Sequence, residues 1–86
     1  MTTRVERSFR GISRRAAVHY LTNLGGEQVA EDTVAGEGWT ATVSTGRVEI
    51  GPSLTLTEVT VVFEGETGRL ESLVERFARK AMRAGG

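Results

Sequence analysis

Four residues near the start of the chain could do chemistry by their type and spacing: Arg7, Arg10, Arg14 and Arg15. A guanidinium group binds phosphate or carboxylate through a planar fork of N–H donors. Arg14 and Arg15 also fall in the first turn of a predicted helix, where free backbone N–H groups favour anions. The group is therefore a candidate site for a phosphate, a nucleotide or an acidic protein partner. The hypothesis that we favour is simpler: these arginines pair with acidic strands or stay hydrated.

Catalysis and metal binding lack their usual residues in this sequence. It contains no cysteine and one histidine, His19. Zinc sites need several histidine, cysteine or carboxylate ligands, and a serine nucleophile needs a base held beside it. We interpret the acids at positions 27, 31, 32 and 37 as a solvated hairpin edge. We therefore expect no enzyme activity, no metal and no cofactor.

The formal net charge of zero conceals segments of opposite sign. Residues 1–26 carry five arginines and one glutamate, residues 27–66 carry eight acids and one arginine, and residues 67–86 carry five bases and two acids. The predicted strands lie mostly in the acidic segment. Since nucleic-acid binding requires a basic surface, we expect none on the sheet.

The sequence predicts two amphipathic helices, the first of which carries Arg14 and Arg15. The first is predicted to begin after Ser13, a good N-cap, and to end at Gly25 and Gly26. The second covers residues 67–84 and has apolar residues at three-, four- and seven-residue steps. Its predicted buried stripe comprises Leu70, Leu73, Val74, Phe77, Ala81 and Met82.

Five segments alternate in the manner of strands: residues 4–10, 28–34, 39–44, 47–50 and 54–64. In the first, Val5, Arg7 and Phe9 share one face and Arg10 takes the other. Thr45 and Gly46 are predicted to form a two-residue hairpin turn, which places Val48 and Ile50 on the inner face.

The last strand has an irregular pattern. Its apolar residues are even-numbered at positions 54 and 56 and odd-numbered at positions 59, 61 and 63. Either both sheet faces are partly covered, or a β-bulge near Thr57 and Glu58 shifts the alternation. We favour the bulge.

The order β-α-β-β-β-β-α predicts one α+β domain over residues 1–86, with an antiparallel sheet covered on one face. The uncovered face should be rich in threonine and acids: Thr40, Thr42, Ser44, Glu49, Thr60 and Glu64. No signal peptide or apolar run of membrane-spanning length is present, so we expect a cytoplasmic protein.

Three short segments carry a resemblance to a known family: Phe9-Arg10-Gly11-Ile12, Asn23-Leu24-Gly25-Gly26 and Gly38-Trp39-Thr40-Ala41. With the order of elements, they resemble the C-terminal domain of MoaD-related proteins, which are relatives of the sulfur-carrying subunit of molybdopterin synthase. The resemblance implies a small archaeal form of this domain and a TATA-binding-protein-like curved sheet under a long C-terminal helix. It also implies a link to molybdenum cofactor synthesis by association, and it assigns no functional residue.

Gly85 and Gly86 suggest a different function. Ubiquitin-like sulfur carriers end in a diglycine whose carboxylate is adenylated and thiolated, but their diglycine lies on an extended tail. Here it directly follows a predicted helix, where glycine is a common terminator. Our leading hypothesis is a non-enzymatic accessory domain that associates with itself or with a protein partner. A sulfur carrier and a small anion binder are the alternatives.

Overall fold

Five antiparallel strands and two helices make up the described part of the chain. The computed structural model describes the backbone of residues 2–85 and the side chains of residues 2–82. The elements are β1 (Thr2–Arg10), α1 (Arg14–Asn23), β2 (Glu27–Ala30), β3 (Thr33–Gly36), β4 (Trp39–Gly51), β5 (Leu54–Glu66) and α2 (Thr67–Gly85). The strands form one sheet in the order β1-β5-β4-β3-β2, and both helices pack on the same face. The predicted α+β order is confirmed.

The ends of α1 follow from its own sequence. The Ser13 hydroxyl oxygen accepts a hydrogen bond from the Ala16 backbone N–H at 3.0 Å. At the other end, Gly25 has a φ of +102°, and the N–H groups of Gly25 and Gly26 donate to the carbonyl oxygens of Thr22 and Leu21. This is the Schellman arrangement, which glycine adopts without steric strain. Both predicted helix ends are confirmed.

Helix α2 buries most of the predicted stripe. Phe77 is fully buried, and its ring contacts those of Phe9, Tyr20 and Phe63 edge-on, with centroids 5.1, 6.2 and 5.7 Å away. Met82 is the exception: it is 73% exposed, so its predicted burial is wrong. At about 100° per residue, Met82 lies about 140° around the helix from Phe77, whereas the buried Leu70, Leu73 and Ala81 all lie within about 40° of it. In residues 2–85, neither helix is both long and apolar enough to cross a membrane.

The segment predicted as one strand over residues 28–34 is a hairpin of two short strands. β2 and β3 pair antiparallel around a turn at Glu31 and Asp32. Val34 is fully buried, whereas Val29 is 60% exposed. Carboxylate side chains favour turns over strand interiors, which explains the break.

Strand β4 runs through the predicted turn at Thr45 and Gly46, so that prediction is wrong. Both residues pair in register with β5, Thr45 opposite Val59 and Gly46 opposite Glu58. Since side chains alternate along an unbroken strand, Val48 falls on the face opposite Val43. The predicted inner position of Val48 is therefore also wrong. Ile50 lies at a register shift between Glu49 and Gly51 and is 47% exposed, so its predicted burial is wrong too.

The predicted bulge near Thr57 and Glu58 is wrong as well. The register of β5 against β4 continues unbroken through both residues. Leu54 and Leu56 consequently lie on the sheet face away from the helices, which we call the outer face. Neither alternative holds as stated: apolar residues occupy both faces of β5, but both helices pack on one face, and Leu54 on the other is 54% exposed.

The outer face otherwise matches its predicted composition. Thr40, Thr42, Ser44, Thr60 and Glu64 alternate with buried neighbours and lie on it. Glu49 was predicted there but has the parity of Val43, so it lies on the helix side of the sheet. Trp39, Ala41 and Val43 of β4 and Val59, Val61 and Phe63 of β5 form the centre of the core under the helices.

Candidate functional site

The β4–β5 hairpin extends beyond the two helices as an arm, which we define as residues 46–57. From residue 44 to residue 57 every side chain except the half-buried Val48 is exposed. The described molecule measures 44 × 21 × 20 Å along its principal axes, so it is elongated. The arm is thus a two-stranded ribbon that receives little packing from the rest of the domain.

Four aliphatic residues lie close together on this arm: Val48, Leu54 and Leu56 on the outer face, and Ile50 at the register shift between Glu49 and Gly51. Val48 is directly opposite Leu56 in the ladder. Ile50 and Leu54 lie on either side of the turn at Pro52 and Ser53. Ile50, Leu54 and Leu56 are 47%, 54% and 36% exposed. We call these four residues the apolar strip.

The apolar strip is unusual for a ribbon that faces solvent. An isolated two-stranded hairpin is only marginally stable in water, and stability normally requires a further strand or a helix on its hydrophobic face. Contiguous apolar surface of this kind commonly marks a protein interaction site. The strip is therefore the strongest candidate functional surface among the described side chains.

The four candidate arginines are not brought together. Arg7 and Arg10 lie on opposite faces of β1, as the alternation predicts, and Arg7 Nη1 donates to the Glu6 carbonyl oxygen. Arg10 lies on the outer face, with Nε 3.5 Å from Glu58 Oε2. Arg14 is on α1, with Nη2 3.5 Å from Glu31 Oε1. Two of the four thus have acidic partners on strand β5 and in the β2–β3 turn.

An open groove follows the exposed side of α1. Arg14, Arg15 and His19 line it on the helix, and Gln28 and Glu31 line it on the β2–β3 hairpin. The groove brings together the two arginines of the first helical turn, where an anion was considered. The Glu31 carboxylate in the same groove already neutralises part of their charge.

The other polar residues whose side chains are described form no second site. Glu37 lies in the β3–β4 turn, where its carboxylate oxygen is 4.0 Å from Arg69 Nη2. Arg69 Nε also lies 3.1 Å from Glu66 Oε2, so both acids pair with an arginine in the first turn of α2. In the described residues, no group of three or more His, Cys, Asp or Glu side chains could hold a metal ion.

The diglycine is only partly described. Gly85 is the last residue of α2, and Gly86 lies outside the described residues. The helix therefore continues up to the first of the two glycines.

The apolar strip was missed at the sequence level, although its signal was present. The even positions of Leu54 and Leu56 conflict with the odd positions of the three buried residues that follow. Taken literally, that conflict places leucines on the open face of the sheet. The bulge was predicted because every apolar residue of β5 was expected to face the core.

Comparisons with known proteins place the chain in a family. No curated protein matches it. The family model described as archaeal MoaD-like protein matches residues 5–86, which span β1 to α2 almost completely. This match covers all three segments that carried the resemblance. The chain therefore belongs to the family of archaeal MoaD-like proteins.

Proposed function

We propose that this chain is a non-enzymatic accessory domain that binds a protein partner in molybdenum cofactor synthesis. The family suggests the pathway, because MoaD is the sulfur-carrying subunit of molybdopterin synthase. The observation that carries the binding role is the apolar strip on the arm. Burial of three exposed aliphatic side chains would favour association by about 1.5–3 kcal/mol each if it were complete.

The chemistry of the partner follows from the surroundings of the strip. At its base, the Arg10–Glu58 pair and the Ser8–Thr60 hydroxyl contact form a polar border on the outer face. An apolar centre with a polar rim is the usual anatomy of a protein interface. The partner should present a matching apolar surface, such as one face of an amphipathic helix, rather than nucleic acid or a small charged ligand.

The proposal is tested by a binding measurement and by a gene deletion. Purified protein is titrated with the sulfur-carrier and catalytic subunits of molybdopterin synthase from the same organism, and binding is followed by calorimetry. Deletion of the gene should lower molybdoenzyme activity in the cell. Absence of both effects would refute the proposal.

A matched pair of variants tests the surface itself. Leu54→Thr removes an aliphatic side chain from the strip while keeping a strand-forming residue, and we expect it to weaken binding about tenfold or more. Val29→Thr makes a comparable change at an equally exposed position on β2 and should leave binding unchanged. Equal effects of the two variants would argue against the strip.

The sulfur-carrier alternative makes a different prediction. With ATP, a cognate activating enzyme and a sulfide donor, a carrier would be adenylated at the Gly86 carboxylate with release of pyrophosphate. Sulfide would then displace AMP to give a thiocarboxylate, which mass spectrometry of the intact protein detects. Helical residues before Gly85 would have to unwind to reach a buried activating site. We therefore expect no such change in mass, and thiocarboxylate formation would replace the accessory function with a carrier function.

A further inference from the structure

The outer edge of β4 has no neighbouring strand along the arm, within the residues that the structure describes. β3 pairs with β4 only as far as Thr42, and one more hydrogen bond runs from the Val43 N–H to the Asp32 carbonyl oxygen at 2.7 Å. From Ser44 to the end of β4 at Gly51 this edge is open, and the register against β5 shifts between Glu49 and Gly51. An open edge is a template for another strand unless charge, proline, a bulge or a covering element blocks it, and here the irregularity and Pro52 both lie beyond Glu49.

The hydrogen bond of Val43 fixes which residues present their backbone at this edge. In an antiparallel ladder, the N–H and C=O of one residue point to the same side, and successive residues alternate. Since the Val43 N–H points toward β3, the backbone groups of Thr45, Arg47 and Glu49 also point outward. Those of Ser44, Gly46 and Val48 point toward β5.

We propose that a second copy of this chain pairs antiparallel with this edge, about a two-fold axis between the two Val48 residues. In this register Arg47 of each copy is opposite Glu49 of the other. Both residues have outward backbone groups, so the pair exchanges two backbone hydrogen bonds. The two Val48 residues then form a non-hydrogen-bonded pair, in which side chains approach most closely.

Charge complementarity selects this register over its neighbours. A two-fold axis at Arg47 would place two arginines opposite each other, and an axis at Glu49 would place two glutamates opposite each other. Like charges in such positions destabilise a sheet, whereas opposite charges stabilise it. Only the axis at Val48 gives two opposite-charge pairs, and it does so because the interface is self-complementary.

The length of the open edge agrees with the same axis. The edge runs from Ser44 to Gly51, so Val48 lies close to its middle, and residues 47–49 are still in regular register with β5. The tip of the second copy would therefore lie beside the base of the arm. An open groove lined by Arg14, Gln28, Glu31 and Thr45 leaves space there.

Pairing would convert two marginal ribbons into one four-stranded sheet. Because Val48 is opposite Leu56 within each arm, the outer face would carry a row of Leu56, Val48, Val48 and Leu56. Four strands with a hydrophobic face are a stable unit, which two strands are not. This inference concerns the edge of β4, and it stands or falls independently of the partner proposed above.

The register can be tested by disulfide cross-linking, since the native chain has no cysteine. Val48→Cys places two thiols across the axis at a Cα separation of about 4.5 Å, within the range that disulfides span. Ile50→Cys is the control, because residue 50 lies two positions beyond the axis in each copy and its own counterpart would be about 13 Å away. Under mild oxidation, we expect a cross-linked dimer from the first variant and none from the second.

The charges can be tested by reversal and exchange. Arg47→Glu and Glu49→Arg each place two like charges opposite each other across the dimer. Each should raise the dimer dissociation constant about tenfold or more, measured by sedimentation. An equimolar mixture of the two variants restores opposite charges and should form a heterodimer. The double variant R47E/E49R should regain the affinity of the native chain.

Two outcomes would overturn the inference. One is a monomer at every accessible concentration, with no cross-link through Val48→Cys. The other is a dimer that both cysteine variants cross-link equally, or that the charge reversals leave unchanged, because its contact would then lie elsewhere. Binding of a pathway partner by a monomer would support the proposed function while refuting this dimer.

Discussion

At the scale of single residues, two backbone segments approach each other closely at Gly65. A Cβ at this position would collide with the Gly38 carbonyl oxygen and with the Trp39 Cα, and Gly65 has a φ of +155°. The Glu66 N–H donates to the same Gly38 carbonyl oxygen at 3.0 Å. The β3–β4 turn and the end of β5 are thereby held together where α2 begins.

Gly65→Ala should therefore lower the free energy of unfolding by about 3 kcal/mol, because the backbone must move and adopt a strained conformation. Urea denaturation at one fixed protein concentration measures the change. Gly68→Ala is the control: its Cβ would meet nothing within 4 Å, and in a helix it should stabilise by about 0.5 kcal/mol. A similar loss in both variants would contradict the contact at Gly38.

The arginines on α1 give the second prediction at this scale. The Arg14–Glu31 pair is exposed on both sides, so Arg14→Ala should change the free energy of unfolding by less than about 0.5 kcal/mol. Because Glu31 occupies the same groove, we also expect that phosphate at millimolar concentration leaves the NMR shifts of the α1 amides unchanged. Saturable shifts at residues 14–16, lost in Arg15→Ala, would establish the anion-binding alternative instead.

Helix α2 shows what a sequence can predict about an element. Its period and the caps of α1 depend on residues within a few positions, so both helices were located correctly. The prediction for Met82 was wrong because no other residue of the stripe lies three, four or seven positions before it, so the helical period itself turns Met82 away from the buried side.

Substitutions on α2 should separate these two kinds of position. Phe77 is fully buried against three other rings, and Phe77→Ala should cost about 3–5 kcal/mol or leave the chain unfolded. Met82→Ala, on the same predicted stripe, should change the free energy of unfolding by less than about 0.5 kcal/mol. Thermal and urea denaturation give both values, and a loss above 1 kcal/mol at Met82 would indicate a contact that its exposure does not suggest.

The strands were harder to predict because their limits depend on pairing partners. Gly46 next to Thr45 has the composition of a tight turn, yet the register opposite Glu58 keeps it within β4. The same tertiary pairing places Val48 on the outer face and leaves Ile50 exposed at a register shift, so the error in the turn concealed half of the apolar strip. Only the even positions of Leu54 and Leu56 indicated the correct arrangement.

At the scale of the whole molecule, the domain separates into a packed body and an arm. The buried residues of the sheet end at Val59 on β5 and at Val43 on β4, and the strands continue well beyond both. The arm adds exposed apolar surface and contributes nothing to the core, so a role in binding explains it better than a role in folding.

Removal of the arm should therefore leave the body folded. Arg47 and Thr57 are opposite each other in the ladder, so replacement of residues 48–56 by Asn-Gly would close a tight two-residue hairpin between them. Because the deleted side chains are almost all exposed, we expect the free energy of unfolding to change by no more than about 1 kcal/mol.

Dispersed amide NMR signals and urea denaturation would confirm a native body, and X-ray scattering would show a shorter particle. An unfolded product would mean that the arm contributes to the core. A folded body that has lost both self-association and partner binding would locate both activities in the arm.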